Sequence, residues 1–276
     1  MNRCTVCFRH CLIQDGMTGF CRARTCIGGK IVCSNYGLIT AIALDPIEKK
    51  PLMKFRPGSK ILSVGSYGCN LSCSFCQNSD ISMASQENAR VSMYNPEALV
   101  SLAMGCRGEG NIGIAFTYNE PLVGYEFVRD TSYIARSKGL ETVLVTNGTA
   151  QRHVEDELLP FISAMNIDLK AFDNKFYEDV VNGDLGEVLR FIERAVTYGC
   201  HVELTTLIIP GLNDSAKSIK AEAGWIAGLS KDIPLHITRF FPRYRMTGRP
   251  ATDISKVNGL AEVARNYLNY VYVGNT

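Results

Sequence analysis

From Lys60 onward, strand-like and helix-like segments alternate six times, and this alternation constrains the fold more than any other feature of the sequence. The strand-like segments, such as "NIGIAFT" at 111–117, are almost continuous apolar runs, whereas the helix-like segments are amphipathic. Apolar strands separated by helices are typical of parallel strands joined by right-handed crossovers. Six units are too few for a closed eight-unit barrel, so we expect an α/β fold with a partial (β/α)6 barrel; a doubly wound sheet is the alternative.

The chain ahead of Lys60 has a different character, because it is rich in cysteine. An alternating apolar stretch follows the cysteines and leads into the proline-punctuated, basic segment "DPIEKKPLMKFRPGSK". We therefore divide the chain into a small Cys-rich N-terminal segment with a β element at 1–59 and the partial barrel at 60–276.

Charge and hydropathy exclude several classes of function. The chain has 29 Lys and Arg residues against 27 Asp and Glu, so its net charge of +2 gives no basic footprint, and we expect no nucleic-acid partner. Neither a signal core nor an apolar run long enough to span a bilayer is present, so we expect no membrane contact and a cytoplasmic location. In that reducing compartment, 11 cysteines indicate metal ligands or buried thiols rather than disulfides. We interpret the isolated Cys106 and Cys200 as ordinary buried thiols.

Polar segments follow the predicted strands at their carboxyl ends, where parallel α/β folds bind ligands. In chain order these segments are "SYGCNLSCSFCQN", "TYNEP", "TNGT", "DLKAF", "PGLND" and "HITRFFPRYR". Three cysteines, an acid and a lysine are therefore expected at one mouth of the barrel.

The first of these segments contains Cys69, Cys73 and Cys76 in the spacing C-x3-C-x2-C. Thiolates favour iron–sulfur clusters or zinc, and a four-iron cluster held by three cysteines leaves one iron open to an exogenous ligand. Structural zinc is the alternative, but it usually needs a fourth ligand, and no other Cys or His lies nearby in the sequence.

This spacing after the first strand, with Phe75 just before the last cysteine, resembles the radical S-adenosylmethionine (SAM) superfamily. The chain looks most like the branch of pyruvate formate-lyase activating enzymes, and closest to the radical enzyme of the AmmeMemoRadiSam system. The segments that carry the resemblance are "DPIEKKPLMKF", "GCNLSCSFCQN", "TYNEP", "TNG", "IDLKAF", "IIPGLND" and "FFPRYRM". It implies a [4Fe-4S] cluster on the three cysteines, with the amino and carboxylate groups of SAM on the unique iron. Reductive cleavage would give methionine and a 5′-deoxyadenosyl radical that abstracts hydrogen.

The resemblance also implies residues that bind SAM. Glu120 of "TYNEP", flanked by Tyr118 and Asn119, would accept a hydrogen bond from the SAM amino group. This segment stands in the place of the Gly-Gly-Glu-Pro turn of the branch, and its two glycines are missing here. His236 matches a position that approaches the SAM ribose; a core histidine is the alternative.

Three further residues match positions that lie near the SAM carboxylate in the activating enzymes. They are Thr146 of "TNG" and Asp168 and Lys170 of "IDLK"; Asn147 of "TNG" is a further candidate for binding the cofactor. A lysine ammonium there would offset the carboxylate charge, and a surface Asp–Lys pair is the alternative. Val145 stands where the relatives have an acid. Whether a monovalent cation binds near the SAM carboxylate is therefore an open question.

The N-terminal segment contains a second group of cysteines, Cys4, Cys7, Cys11 and Cys21, in the spacing C-x2-C-x3-C-x9-C. Four thiolates can hold zinc or a second iron–sulfur cluster, and we expect a metal site that stabilises the segment. Cys26 and Cys33 supply spare ligands.

The expected function is that of a radical SAM enzyme acting on an unidentified, anionic small molecule. Arg239, Arg243 and Arg245 of "HITRFFPRYRM" are the candidates for binding its charge, since guanidinium groups pair with carboxylates and phosphates; solvated arginines are the alternative. A glycyl radical installed on a partner protein is a second function, and a non-catalytic iron–sulfur redox protein is a third of a different class. The resemblance implies a low-potential electron donor such as flavodoxin or ferredoxin.

Overall fold

The computed structural model describes all 276 residues. The strands are β1 (Asn2–Arg3), β2 (Leu12–Ile13), β3 (Arg24–Ile27), β4 (Lys30–Cys33), β5 (Leu38–Ile39), β6 (Ala41–Pro46), β7 (Lys60–Gly65), β8 (Ser92–Met93), β9 (Asn111–Phe116), β10 (Glu141–Thr146), β11 (Ala164–Asp168), β12 (His201–Ile208), β13 (Leu235–Arg239) and β14 (Val271–Gly274). The helices are α1 (Ser79–Ser82), α2 (Pro96–Gly105), α3 (Tyr125–Ser137), α4 (Arg152–Leu158), α5 (Asn174–Phe176), α6 (Leu185–Tyr198), α7 (Ala216–Leu229) and α8 (Ile254–Arg265).

One eight-stranded sheet organises the molecule, in the order β14-β13-β12-β11-β10-β9-β7-β6. All neighbouring strands pair in parallel except β6 and β7, which pair antiparallel. The order follows the chain without a reversal, so the doubly wound alternative, which needs a topological switch point, is excluded. Strands β14 and β6 do not pair with each other, and the sheet therefore stays open. This arrangement confirms the predicted α/β fold.

Two edge strands extend the sheet beyond the six predicted strands. β14 pairs in parallel with β13, and β6 pairs along its whole length with β7, from Ala41 opposite Gly65 to Pro46 opposite Lys60. β6 precedes residue 60, so the main sheet reaches into the segment that we assigned to the N-terminal part. The remainder of that segment forms small antiparallel pairs, β1 with β2 and β3 with β4.

The helices that join successive parallel strands begin where the sequence indicates. In α2, the Asn95 side chain accepts a hydrogen bond from the Ala98 backbone and Pro96 occupies the first turn, as expected for an N-cap followed by proline. The helices pack their apolar faces on the sheet and enclose one large core, in which Leu144 and Ile237 are fully buried. No helix is both long enough and apolar enough to cross a lipid bilayer.

A buried carboxylate fixes the segment between β6 and β7 to the middle of the sheet. Glu203 on β12 accepts hydrogen bonds from the backbone N–H groups of Met53 (3.0 Å) and Lys54 (2.7 Å). It also accepts from the imidazoles of His201 (3.0 Å) and His236 (2.7 Å). Burial alone would raise the pKa of Glu203, but these hydrogen bonds outweigh it and lower the pKa to about 2.

Candidate active site

The carboxyl ends of the strands surround a cavity of about 350 Å³. Most of the residues that the sequence analysis named for the cluster and for SAM line this cavity. They are Cys69, Cys73, Cys76, Tyr118, Asn119, Glu120, Thr146, Asn147, Asp168 and Lys170. Sequence reasoning missed Lys49, Thr205, Thr238 and Asn275, which also line it. Thr238 and Asn275 lie at or just after strand ends and Lys49 follows the edge strand β6, which is the signal that could have identified them; Thr205 lies within β12 and has no such signal.

The three cysteines lie on the loop that follows β7. The Leu71 N–H donates to the Cys69 sulfur at 3.4 Å, and the Asn147 side-chain amide lies 3.8 Å from the same sulfur. Burial raises the pKa of the Cys69 thiol well above its usual value and that of Cys73 to about 11, so both are neutral thiols in the free protein. A bound positive metal centre reverses this preference, because thiols ligate as thiolates. No other Cys or His lines the cavity, so the residues present fit a cluster that keeps one open iron.

Glu120 is the buried acid of the cavity, only 2% exposed. Its carboxyl group accepts hydrogen bonds from the Thr146 hydroxyl at 2.6 Å, from the Asn147 N–H at 2.7 Å and from the Leu122 N–H at 3.0 Å. Burial is the largest effect on this group and raises its pKa to about 7, although the three hydrogen bonds oppose it. Three of the roughly four lone-pair sites of the carboxylate are used, so one remains to accept a hydrogen bond from a ligand amine.

Asp168 and Lys170 form an ion pair at the end of β11, with the Lys170 Nζ 2.9 Å from the Asp168 carboxylate. Burial disfavours the lysine ammonium, but Asp168 outweighs it and raises the pKa of Lys170. The side chain of Lys170 is 15% exposed. A positive charge is therefore held in the cavity at any physiological pH.

Asn119 and Tyr118 also line the cavity. The Asn119 amide donates to the Tyr67 and Gly68 carbonyls, both at 3.1 Å, and thereby positions the turn before Cys69. Tyr118 has a backbone φ of +71° and donates its hydroxyl to Asp45 at 2.9 Å. Asn119 thus holds the backbone before the cysteine loop, and Tyr118 connects the loop after β9 to Asp45 on β6.

His236, by contrast, does not line the cavity. Its imidazole is bound to Glu203 inside the sheet and stacks on Tyr272, with ring centroids 5.3 Å apart. It therefore has the contacts of a core histidine, the alternative to the ribose-binding role.

The three candidate arginines also lie outside the cavity lining. The Arg239 guanidinium donates to the Thr252 carbonyl at 2.7 Å and lies over the Phe241 ring. Arg243 and Arg245 are exposed. The loop that carries them contacts the cysteine loop, because the Arg245 N–H donates to the Ser74 carbonyl at 2.9 Å.

Three thiols, a buried acid and an ion pair at the strand ends define a cofactor-dependent α/β enzyme. The Radical SAM superfamily profile matches residues 63–220. An uncharacterised protein of Methanocaldococcus jannaschii is 39% identical over 281 residues, covering 99% of this chain and 81% of that protein. The pyruvate formate-lyase 1-activating enzyme of Escherichia coli K12 is 25% identical over 153 residues, covering 55% of this chain and 62% of that enzyme. The chain belongs to the radical SAM superfamily and is a radical SAM enzyme.

Among solved structures, a radical SAM methyltransferase from Sphaerobacter thermophilus superposes with a TM-score of 0.62 at 21% identity. The match covers 80% of this chain and 67% of the methyltransferase, and it supports the fold alone. The cofactors of the family are a [4Fe-4S] cluster and SAM. The closer likeness to the AmmeMemoRadiSam enzyme stays a prediction.

Proposed function

We propose that this chain cleaves SAM reductively in the cavity at the strand ends and uses the resulting radical to take hydrogen from an anionic small molecule. The observation that carries the proposal is the convergence of Cys69, Cys73, Cys76, Glu120 and Lys170 on one cavity. When bound together, the cluster and SAM supply the one-electron chemistry. A low-potential donor such as flavodoxin or ferredoxin supplies the electron.

The protein's own groups hold and orient the ligands. Glu120 accepts a hydrogen bond from the SAM amino group, and Thr146 and the Asn147 backbone keep its carboxyl in place. Lys170 donates to the SAM carboxylate through the N–H groups that Asp168 does not use. Burial of this cavity strengthens each of these interactions, because the local dielectric is low.

The basic side chains near the mouth of the cavity favour a substrate that carries negative charge. Lys49 lines the cavity and has a side chain that is 66% exposed; its ammonium pairs with Asp45 at 3.1 Å and keeps N–H donors for a ligand. The exposed Arg243 and Arg245 lie on the loop next to the cysteine loop. Guanidinium groups bind carboxylates and phosphates through paired hydrogen bonds.

The second candidate function is the installation of a glycyl radical on a partner protein. The similarity to an enzyme named for activating pyruvate formate-lyase favours it. The two functions differ in the size of the substrate, and this difference can be measured directly.

The test is an anaerobic incubation of reconstituted protein with SAM, reductant and one of two extract fractions, small molecules or macromolecules, with 5′-deoxyadenosine as the readout. We expect the small-molecule fraction to stimulate its formation, and extract from deuterium-grown cells to place deuterium in it. Cys106→Ala, outside the cavity, should behave like the parent. Stimulation by the macromolecular fraction alone, with a glycyl radical signal in electron paramagnetic resonance (EPR), would replace the first function by the second.

A further inference from the structure

The Cys-rich segment ahead of the barrel is basic, although the whole chain is almost neutral. Residues 1–44 contain five Lys or Arg residues and a single acid, Asp15, whereas the rest of the chain contains 24 against 26. Among the five, Arg24 alone pairs with a carboxylate, that of Glu126, at 2.5 and 2.6 Å. The positive charge of the other four is therefore available to a partner.

The four cysteines that the sequence assigns to a second metal site lie inside this segment. Cys4, Cys7, Cys11 and Cys21 line a cavity of about 10 Å³ together with Arg9 and Arg24. The metal itself stays a prediction. A space of this size admits no organic ligand, so a larger partner can bind only to the outer surface of the segment.

On that surface, two arginines stack on one aromatic ring. The guanidinium carbon of Arg9 lies 3.5 Å from the centre of the Phe20 ring, and that of Arg22 lies 5.9 Å from it. Phe8 contacts Arg9 as well, at 5.0 Å. All four side chains are partly exposed, and the neighbouring His10 is exposed. Stacked guanidinium groups keep N–H donors for carboxylates. We call Phe8, Arg9, Phe20 and Arg22 the Arg9 patch.

The Arg9 patch contacts the loop that carries the cluster cysteines. The Arg9 Nε donates to the Asn70 carbonyl at 2.5 Å, and Asn70 follows Cys69 in the chain. The same segment packs on the residue before Cys69, because a Cβ on Gly68 would come within 2.4 Å of the Cys21 carbonyl oxygen. One hydrogen bond and one peptide unit therefore separate the Arg9 patch from a proposed cluster ligand.

The segment does not take part in the catalytic cavity, since none of residues 1–48 lines it. A protein substrate has to place its reacting atom inside that cavity. An electron carrier has to approach only the cluster, and the Arg9 patch offers this approach without occupying the space of SAM or substrate. The position of the patch therefore favours an electron carrier over a protein substrate.

Exposed apolar side chains accompany the cations. Seven large hydrophobic side chains of the protein are more than half exposed, and four of them belong to this segment, namely Met1, Leu12, Met17 and Ile27. Apolar side chains beside charged ones are typical of protein interfaces. A second copy of this chain would bring like charges together, so charge complementarity favours an acidic partner.

We propose that the Arg9 patch is the docking surface of the electron donor, a small one-electron carrier protein with an acidic face. This inference rests on the proposed function, which needs such a donor. The carrier is oxidised by one electron, and the cluster that the family uses accepts that electron. Electron-transfer partners associate through small interfaces, so a patch of this size is sufficient. The Radical SAM profile begins at residue 63, so this surface lies outside the part of the chain that the profile matches.

The test is isothermal titration calorimetry of the reconstituted full-length chain with two probes, flavodoxin and ferredoxin, at low salt. We expect the parent to bind at least one of them, and Arg22→Glu to raise its dissociation constant about tenfold. Arg22→Gln, which removes the charge without reversing it, should raise the constant about threefold. Lys220→Glu, the same charge change at an exposed position on α7, is the control and should bind as the parent does. Added salt should weaken binding by the parent more than by Arg22→Glu.

The rate of 5′-deoxyadenosine formation separates this proposal from the proposed function. With dithionite, which needs no docking surface, Arg22→Glu should cleave SAM at the parent rate; with a limiting amount of the reduced carrier it should be slower. If the parent cleaves no SAM with dithionite, the proposed function is wrong, and calorimetry still decides the docking surface. If neither carrier binds the parent, or if Arg22→Glu binds the carrier as tightly as the parent does, the docking proposal is wrong.

Discussion

The Thr146 hydroxyl donates a 2.6 Å hydrogen bond to the Glu120 carboxyl, and this contact joins the loop after β9 to the end of β10. The neighbouring Asn147 N–H binds the other carboxyl oxygen at 2.7 Å. Glu120, which the resemblance assigns to the SAM amino group, is thus held in a fixed orientation by the "TNG" segment. Positioning of this kind stabilises a bound ligand because little side-chain freedom is lost on binding.

SAM binding should weaken as the pH falls below about 7. The pKa of Glu120 is raised to about 7, so below that value the carboxyl is protonated and loses its charge-assisted hydrogen bond. We expect the dissociation constant for SAM to rise as the pH falls below the pKa, by at most roughly thirtyfold in total for one charged hydrogen bond of about 2 kcal/mol, and to level off above the pKa. Equilibrium dialysis under anaerobic conditions measures it.

The matched control for this titration is Glu120→Gln. This variant binds SAM more weakly but keeps any titration of SAM itself, so the difference between the two pH profiles reports the Glu120 carboxyl. Profiles of identical shape for the parent and the variant would exclude Glu120 as the titrating group.

Removal of the Lys170 ammonium should weaken SAM binding. Lys170→Met deletes a charged hydrogen bond worth about 2 kcal/mol, so we expect the dissociation constant to rise roughly thirtyfold. Lys175→Met, an exposed lysine paired with Asp179, is the control and should bind SAM as the parent does. Unchanged affinity in Lys170→Met would return the Asp168–Lys170 pair to a structural role.

Loss of the Glu203 carboxylate should destabilise the fold. Glu203→Ala leaves four hydrogen-bond donors without an acceptor, and we expect a loss of about 3 kcal/mol in the free energy of unfolding at neutral pH. Glu262→Ala, in an exposed pair with Arg265, should cost little. Thermal unfolding of the three proteins makes the comparison.

The stabilisation of the fold by Glu203 should decrease as the pH falls. Its pKa is lowered from 4.5 to about 2 in the folded protein, so its contribution is complete above pH 4.5 and is lost as the pH falls towards 2. The stability difference between the parent and Glu203→Ala should therefore narrow across this window. A difference that stays constant there would show that the stabilisation does not come from the ionised carboxylate.

Arg243 and Arg245 should affect substrate use more than SAM cleavage without substrate. Changing each to Lys keeps the charge but removes the planar fork, so we expect about ten times more of the small-molecule fraction to be needed for half-maximal stimulation. Arg239→Lys is the comparison, because the Arg239 guanidinium donates to the Thr252 carbonyl, lies over the Phe241 ring and does not line the cavity. If Arg243→Lys and Arg245→Lys need no more of the small-molecule fraction for half-maximal stimulation than Arg239→Lys and the parent do, this loop does not recognise the substrate.

The sequence is a good guide wherever the signal is local. The period of the apolar residues identifies the six strands and their helices. The three-cysteine spacing predicts the cluster loop, because all three proposed ligands lie within eight positions of the sequence. Parallel pairing then places Glu120 and Lys170 at the same edge of the sheet, as the cavity lining shows.

The features that could not be predicted depend on contacts between distant segments. The Glu203 carboxylate binds the backbone N–H of Met53, 150 positions away in the sequence. The same carboxylate binds the His236 imidazole and holds it in the core. Arg239 is engaged by Thr252, on the far side of an irregular loop. The pairing of β6 with β7 is specified by the edge of the folded sheet rather than by any pattern within β6.

Reductive cleavage of SAM by the protein and by its cysteine variants tests the central claim most directly. Anaerobically reconstituted parent protein, given SAM and dithionite, should form 5′-deoxyadenosine and methionine in equal amounts. Replacing any one of Cys69, Cys73 and Cys76 by Ala should abolish this activity, because no other Cys or His in the cavity can supply the missing ligand. Cys106→Ala should retain it. Formation of 5′-deoxyadenosine at the parent rate by the triple alanine variant would contradict the assignment of the radical SAM cluster to these three cysteines.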